Sequence, residues 1–273
     1  IKEAVKYYAK VDCAKMEDYQ LASYATNCYL LQDYEKSLDI AQYGRSKFPD
    51  NAGMNRLALF NNTELKKYDE AIAAGKALLA CEGAKISGND YLYFGMAYNG
   101  VKDFDNAILQ FKKAIEQDAS NKDLKLKTYK ILADVYGEKG DIDNAVVYFN
   151  QYLSEAPKVT AFEYSKLANL YKNQADKVEG TEKEKFLLEA DKVYGIIVEK
   201  FPSVADVITL QRAHIGFALD PETKTGAAKP HYEKLIEIIK SHSTEGPSDK
   251  ARLIEAYKYL GYYYTLAEDK DKA

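Results

Sequence analysis

The chain has 273 residues, 47% of them hydrophobic and 29% charged, with a formal net charge of -4 and a pI near 5.6. Enough apolar surface is present to offset chain entropy, which excludes intrinsic disorder, and the missing basic excess argues against a general nucleic-acid binder. No run approaches the ~18 to 20 apolar residues of a membrane span; the longest, YLYFGMAY at 91–98, is less than half that.

One feature stands out: 24 tyrosines and no tryptophan. Cys13, Cys28 and Cys81 are spread too widely for a disulfide framework or a zinc site, and His214, His231 and His242 form no metal motif. The chain lacks a Gly-rich phosphate loop, G-x-S-x-G, H-E-x-x-H and C-x-x-C. The expectation is therefore no catalytic residue, no cofactor and no metal. Cys28 reads as a core thiol, Cys13 and Cys81 as helix-end residues, and His214 as structural.

In chain order, one pattern recurs. It is clearest at Tyr91, Phe94, Gly95, Tyr98, Phe104, Ala107, Phe111 and Ala114. It returns at Tyr129, Leu132, Ala133, Tyr136, Ile142, Ala145, Phe149, Tyr152 and Pro157, and again at Tyr164, Leu167, Ala168, Tyr171, Leu187, Ala190, Tyr194, Ile197 and Pro202. Steps of three and four put these residues on one face of a helix. The small residue lets two antiparallel helices approach, and the closing proline ends the second. A helix pair with such a face must stack on neighbours to bury it.

With these residues the chain resembles the tetratricopeptide repeat family, whose ~34-residue unit follows W-x₂-L-G-x₂-Y…A-x₃-F…P. Tyrosine replaces the leading Trp in four copies. The small residue of the first helix, position 8, falls on Ala25, Leu59, Gly95, Ala133, Ala168, Ala213 and Gly261; position 20 falls on Ser37, Ala71, Ala107, Ala145, Ala190 and Ala228. The resemblance implies an all-α, right-handed α-α superhelix, one continuous solenoid of about seven helix-turn-helix units. Its copies cover 18–51, 52–87, 88–125, 126–160, 161–205 and 206–253, with half copies at 1–17 and 254–273. Ile1, Ala4, Tyr8 and Val11 match a second helix, and the last half copy has its own second helix starting near Lys270, with Ala273 at position 20. The expectation is a piece from inside a longer polypeptide, or disordered ends.

Two insertions depart from the family. The polar stretch Asn173–Lys185 is expected to lengthen both helices of its pair, with Thr181 and Glu184 forming a capping box. The stretch Asp220–Lys229 is expected to form a turn or short helix, with Pro230 in the first turn of the next helix.

In the resembled family, positions 2, 5, 6, 9, 12 and 13 of the first helix tend to line a concave groove. Carried over, these are Tyr19 and Tyr29; Arg56 and Phe60; Asn89, Tyr93, Met96 and Asn99; Lys127, Lys130 and Asp134; Lys166, Asn169 and Lys172; Gln211, His214 and Phe217; and Lys258, Tyr259 and Tyr262. Groove tyrosines supply rigid contact area with a hydroxyl, which suits an extended peptide or a partner helix. The clamp that grips acidic chaperone tails is not reproduced: copy four sets Asp134 beside Lys130, and copy five has Ser165 with Asn169. The expected function is a non-catalytic protein-interaction scaffold with a protein or peptide partner. The alternatives are a subunit that self-associates through its open ends in a cell-envelope complex, and a binder of a small ligand or saccharide. No nucleic acid and no membrane insertion are expected. A likeness to repeat proteins of Bacteroides-type bacteria, many of them exported, implies the periplasm or cell envelope.

Overall fold

A computed structural model of the chain describes residues 1–242 and 246–267. Among them are fourteen α-helices and no strand: α1 (Lys2–Tyr8), α2 (Asp18–Leu30), α3 (Tyr34–Lys47), α4 (Ala52–Glu64), α5 (Tyr68–Ala80), α6 (Gly88–Gly100), α7 (Phe104–Gln117), α8 (Lys122–Lys139), α9 (Ile142–Glu155), α10 (Ala161–Ala175), α11 (Gly180–Lys200), α12 (Ala205–Leu219), α13 (Lys229–Lys240) and α14 (Pro247–Leu266). The chain divides into two compact units, Ile1–Lys139 and Gly140–Ala273. The second helix expected from Lys270 lies outside the described residues.

In the first unit, helices pair as hairpins, and each second helix packs on the next first helix. The first helices α2, α4, α6 and α8 also touch in succession, so they form one row. The hairpin turns share one device. Gln32, Lys66 and Lys102 take positive φ, which reverses the chain in a single residue. Asp33 and Asp103 follow two of these, and each carboxylate accepts the N–H of the third residue of its helix. At the α8–α9 turn Gly140 takes the positive φ and Asp141 the cap.

The small residue at position 8 does what its spacing predicts. A Cβ on Gly95 would lie 2.6 Å from the Phe111 ring, so α6 and α7 reach their separation only without one. In copy one the family's position-20 alanine is Ser37. It is fully buried, but its hydroxyl donates to the Ala25 carbonyl and accepts from Asn61. A polar residue is tolerated there because it is satisfied.

In the second unit the added residues are built into structure. The helix α11 extends to 21 residues. Thr181 and Glu184 do not cap it: the helix begins at Gly180, with Glu179 at the N-cap position and no capping side chain, so Thr181 already lies inside the first turn. The 220–228 segment is a loop wound around Asp220, whose carboxylate accepts the backbone N–H groups of Lys224, Thr225 and Gly226 and the Thr225 hydroxyl. Those bonds hold the Asp220 carboxyl below the usual carboxylate range against the opposing effect of desolvation. Pro230 sits in the first turn of α13.

Three other expectations are corrected. The helix α1 ends at Tyr8, so Val11 lies beyond it and is exposed. Tyr257, which stands at the leading-Trp position of its copy and is expected there to pack, is 49% exposed, while Tyr259, assigned to the groove, is 8% exposed. Within the described residues α14 is covered from the side of α12 and α13, and that side faces Tyr259. Its ring lies 4.7 Å from Tyr232 and 6.3 Å from Phe217.

Candidate functional site

The row of first helices in the first unit carries a continuous aromatic ladder. Phe60 on α4 stacks on Tyr93 of α6 at 4.2 Å between centroids. Tyr29 on α2 lies 5.9 Å from Phe60 and 5.6 Å from Tyr34. The three rings come from three successive copies, one per helix, and each is half-buried. The Tyr29 separations fall in the favourable range of ~4.5 to 7 Å for aromatic pairs, worth ~0.5 to 1.5 kcal/mol each beyond burial, and the Phe60–Tyr93 stack is closer still.

The hydroxyls are ordered as well. Tyr93 donates to Glu64 Oε1 at 2.8 Å, which leaves its oxygen to accept from Tyr29 at 2.7 Å. Burial, followed by the bonds to Tyr29 and the Glu64 carboxylate, pushes Tyr93 well above the ordinary tyrosine range. Tyr29 is raised too, chiefly by burial. Both hydroxyls are neutral at pH 7, so the ladder presents apolar faces and a fixed chain of donors and acceptors.

Arg56 serves a different end. Its guanidinium makes a two-pronged pair with Asp90, Nε to Oδ1 at 2.6 Å and Nη2 to Oδ2 at 2.9 Å, and also donates to the Lys85 carbonyl. Asp90 is buried and accepts the Ser87 N–H and hydroxyl at the start of α6. Arg56 therefore fastens copy two to copy three. Tyr19 is 66% exposed at the opposite end of α2 from Tyr29, ten residues or ~15 Å away along the helix; it does not join the ladder.

Beyond the ladder, Met96 and Asn99 of α6 and Asp134 of α8 line one cavity of about 310 Å³, together with Thr63, Tyr68, Gly100, Ile131, Val135 and Glu138. Lys130 is half-buried one turn before Asp134. The sequence reading left out Glu64, Thr63 and Glu138. All three stand at groove positions, 12 or 13, of copies two and four, and that register was the signal for them.

In the second unit several candidate residues are engaged in polar links. Lys172 donates to Gln211 across α10 and α12, and Asn169 accepts from Tyr194. His214 bonds Glu255 at 2.6 Å, and Tyr232 donates to the same carboxylate. Phe217 is exposed on one face with its other against Tyr259. Tyr262 lies apart, in a surface hollow beside the 221–224 loop.

Two stretches, residues 91–121 and 126–159, match the family model of the tetratricopeptide repeat. The chain is similar along 92% of its length to the C-terminal part of a TPR repeat-containing protein from Cytophaga hutchinsonii, with 27% identity, 91% of that chain covered and a TM-score of 0.63. It is also similar to MamA residues 41-end from Desulfovibrio magneticus RS-1 (20% identity, 56% of this chain, 84% of that one, TM-score 0.49) and to a thermophilic TPR protein from Thermus thermophilus (19%, 73%, 98%, 0.43). No curated protein matches the chain. Residues 91–121 and 126–159 are thus tetratricopeptide repeats, and the all-helical fold fits an α-α superhelix of such repeats. Repeats of this family are protein-interaction scaffolds and typically non-enzymatic. Among the described residues no helix is long and apolar enough to cross a membrane.

Proposed function

We propose that the inner row of the first unit, formed by α2, α4, α6 and α8, binds an extended segment of a partner protein. The observation that carries this is the Tyr29–Phe60–Tyr93 ladder. Three half-buried rings, one from each of three copies, are stacked and hydrogen-bonded into one rigid strip. Rigid aromatic area with ordered hydroxyls is the kind of surface that concentrates binding energy, because little side-chain freedom is lost on contact. The second unit uses its corresponding residues for internal links.

The test is capture of native partners by the full chain and by its Phe60→Ala and Tyr93→Ala variants. Loss of the captured protein with either variant is expected. Undiminished capture by both overturns the assignment of the groove.

A further inference from the structure

One edge of the ladder is polar, and its hydroxyl protons can be followed one by one. Phe60 and Glu64 stand four residues apart on α4, hence on one face. Tyr93 of α6 covers both: its ring stacks on Phe60 and its hydroxyl reaches Glu64. An ionised carboxylate only accepts. The Tyr93 proton therefore goes to Glu64, and the Tyr29 proton to Tyr93. Both protons are then used. What this edge still offers is the Tyr29 oxygen and Glu64 Oε2, and both are acceptors.

The charge of this edge is negative and unanswered. Glu64 is exposed, and the Tyr93 hydroxyl is its one hydrogen-bond partner among the described residues. Lys66 and Lys67 follow it in the turn, exposed as well, yet neither forms an ion pair with it. The helices α2 and α4 end at Leu30 and Glu64, so Tyr29 and Glu64 both stand in last turns, where the helix dipole adds partial negative charge.

These features select an occupant. An edge of acceptors calls for a donor, and an unpaired negative charge calls for a cation rather than a neutral amide. A carboxylate on the incoming segment is repelled. An apolar residue laid over Glu64 strips its water and returns nothing.

We propose that the protein segment bound on the ladder seats a basic side chain, arginine ahead of lysine, against Glu64 and the Tyr29 hydroxyl oxygen. The claim rests on the groove function above and names the chemistry of its partner. The planar guanidinium donates from separate N–H groups to the carboxylate and to the Tyr29 oxygen, while its methylenes lie along the rings. A lysine ammonium brings the same charge as a more strongly hydrated point.

The test uses the full chain as target for a displayed library of random twelve-residue peptides and retains the binders that Phe60→Ala fails to hold. The tightest is synthesised with arginine, lysine or citrulline at its basic position; citrulline keeps the shape and loses the charge. Each Kd is measured by fluorescence anisotropy on the wild type and on Glu64→Gln, which keeps an acceptor for Tyr93. The expected result is one fixed basic position among the retained binders. On the wild type arginine is expected to bind about five- to tenfold tighter than citrulline, with lysine between them. On Glu64→Gln, arginine and citrulline are expected to bind equally. That coupling is the readout, because a merely structural role for Glu64 weakens all three peptides alike. Circular dichroism checks that the variants fold. Retained binders without a basic position, arginine no tighter than citrulline, or equal weakening of all three peptides with Glu64→Gln overturn the Glu64 assignment and leave the groove standing. Lysine as tight as arginine removes the preference for the guanidinium. No enriched peptide, or none that depends on Phe60, overturns both the assignment and the groove.

Discussion

The two units join their first helices with a different balance of rings and polar links, although the first also has the Arg56–Asp90 pair and the second the Phe217–Tyr259 contact. In the first, position 8 recurs at 25, 59, 95 and 133, near the family period, and neighbouring first helices touch. Aromatic rings then reach from copy to copy. In the second, Ala168, Ala213 and Gly261 stand 45 and 48 residues apart, and the extra length goes into α11 and the Asp220 loop. Long polar side chains link these first helices: Lys172 to Gln211, Arg252 to Asp206 and His214 to Glu255. A ring contributes only within about 7 Å of its partner, whereas a flexible charged side chain bridges a looser spacing. The same difference separates a surface with apolar faces on offer from one whose groups are already engaged.

Substitutions put this contrast to the test, with hydrogen exchange read segment by segment. The largest effect is expected for Arg56→Met, which leaves the buried Asp90 charge without its partner. The cost is about 3 kcal/mol, and protection is expected to fall in α4 and α6 while residues beyond 140 keep theirs. Equal loss in both units would end the distinction between them. Asp220→Ala removes the acceptor of four amides, those of Lys224, Thr225, Gly226 and Ala227, and a hydroxyl and is expected to cost about 2 kcal/mol, with exchange rising in α12 and α13.

Tyr93→Phe keeps the stack and deletes the hydroxyl, for a loss of about 1 kcal/mol at neutral pH. Because the folded pKa of Tyr93 is raised, its contribution is complete below the ordinary value near 10 and is lost as pH climbs through the folded value. Denaturant melts of the wild type should therefore decline above pH 10 more steeply than those of the variant. The smallest effect is in the second unit, which holds all three histidines. Burial and then Arg212 lower the pKa of His231, with Asp191 opposing. Its contribution is present above the ordinary value of 6.5 and is lost as pH falls through it toward the folded value. His231→Gln is expected to flatten the stability curve between pH 7 and 5; an unchanged slope would remove His231 from the account.

The helical hairpins were legible because their determinants are local. Steps of three and four, a small residue at position 8 and a proline past the second helix are visible in any one copy, as at Gly95 and Pro157. The repeat register also brought candidates together: it set Tyr29, Phe60 and Tyr93 on three neighbouring first helices, where their rings meet, and Met96 and Asn99 beside one cavity. It did not foresee that Arg56 is engaged by Asp90, since that pairing joins residues 34 apart, nor that Tyr259 is buried. On α14 the covered face is decided by which neighbours are present, and no spacing within the helix encodes that. Thr181 and Glu184 fit a capping box in sequence, yet the helix starts at Gly180, whose positive φ admits the chain one residue too early for Thr181 to cap.

If the groove function is right, binding occupies the inner row of the first unit. Hydrogen exchange of the full chain with and without its captured partner protein is the decisive check. The account predicts new protection confined to α4, α6 and the C-terminal halves of α2 and α8, and its loss when Phe60→Ala is compared. Protection centred on the second helices α3, α5 and α7, or on α10 to α14, would contradict it.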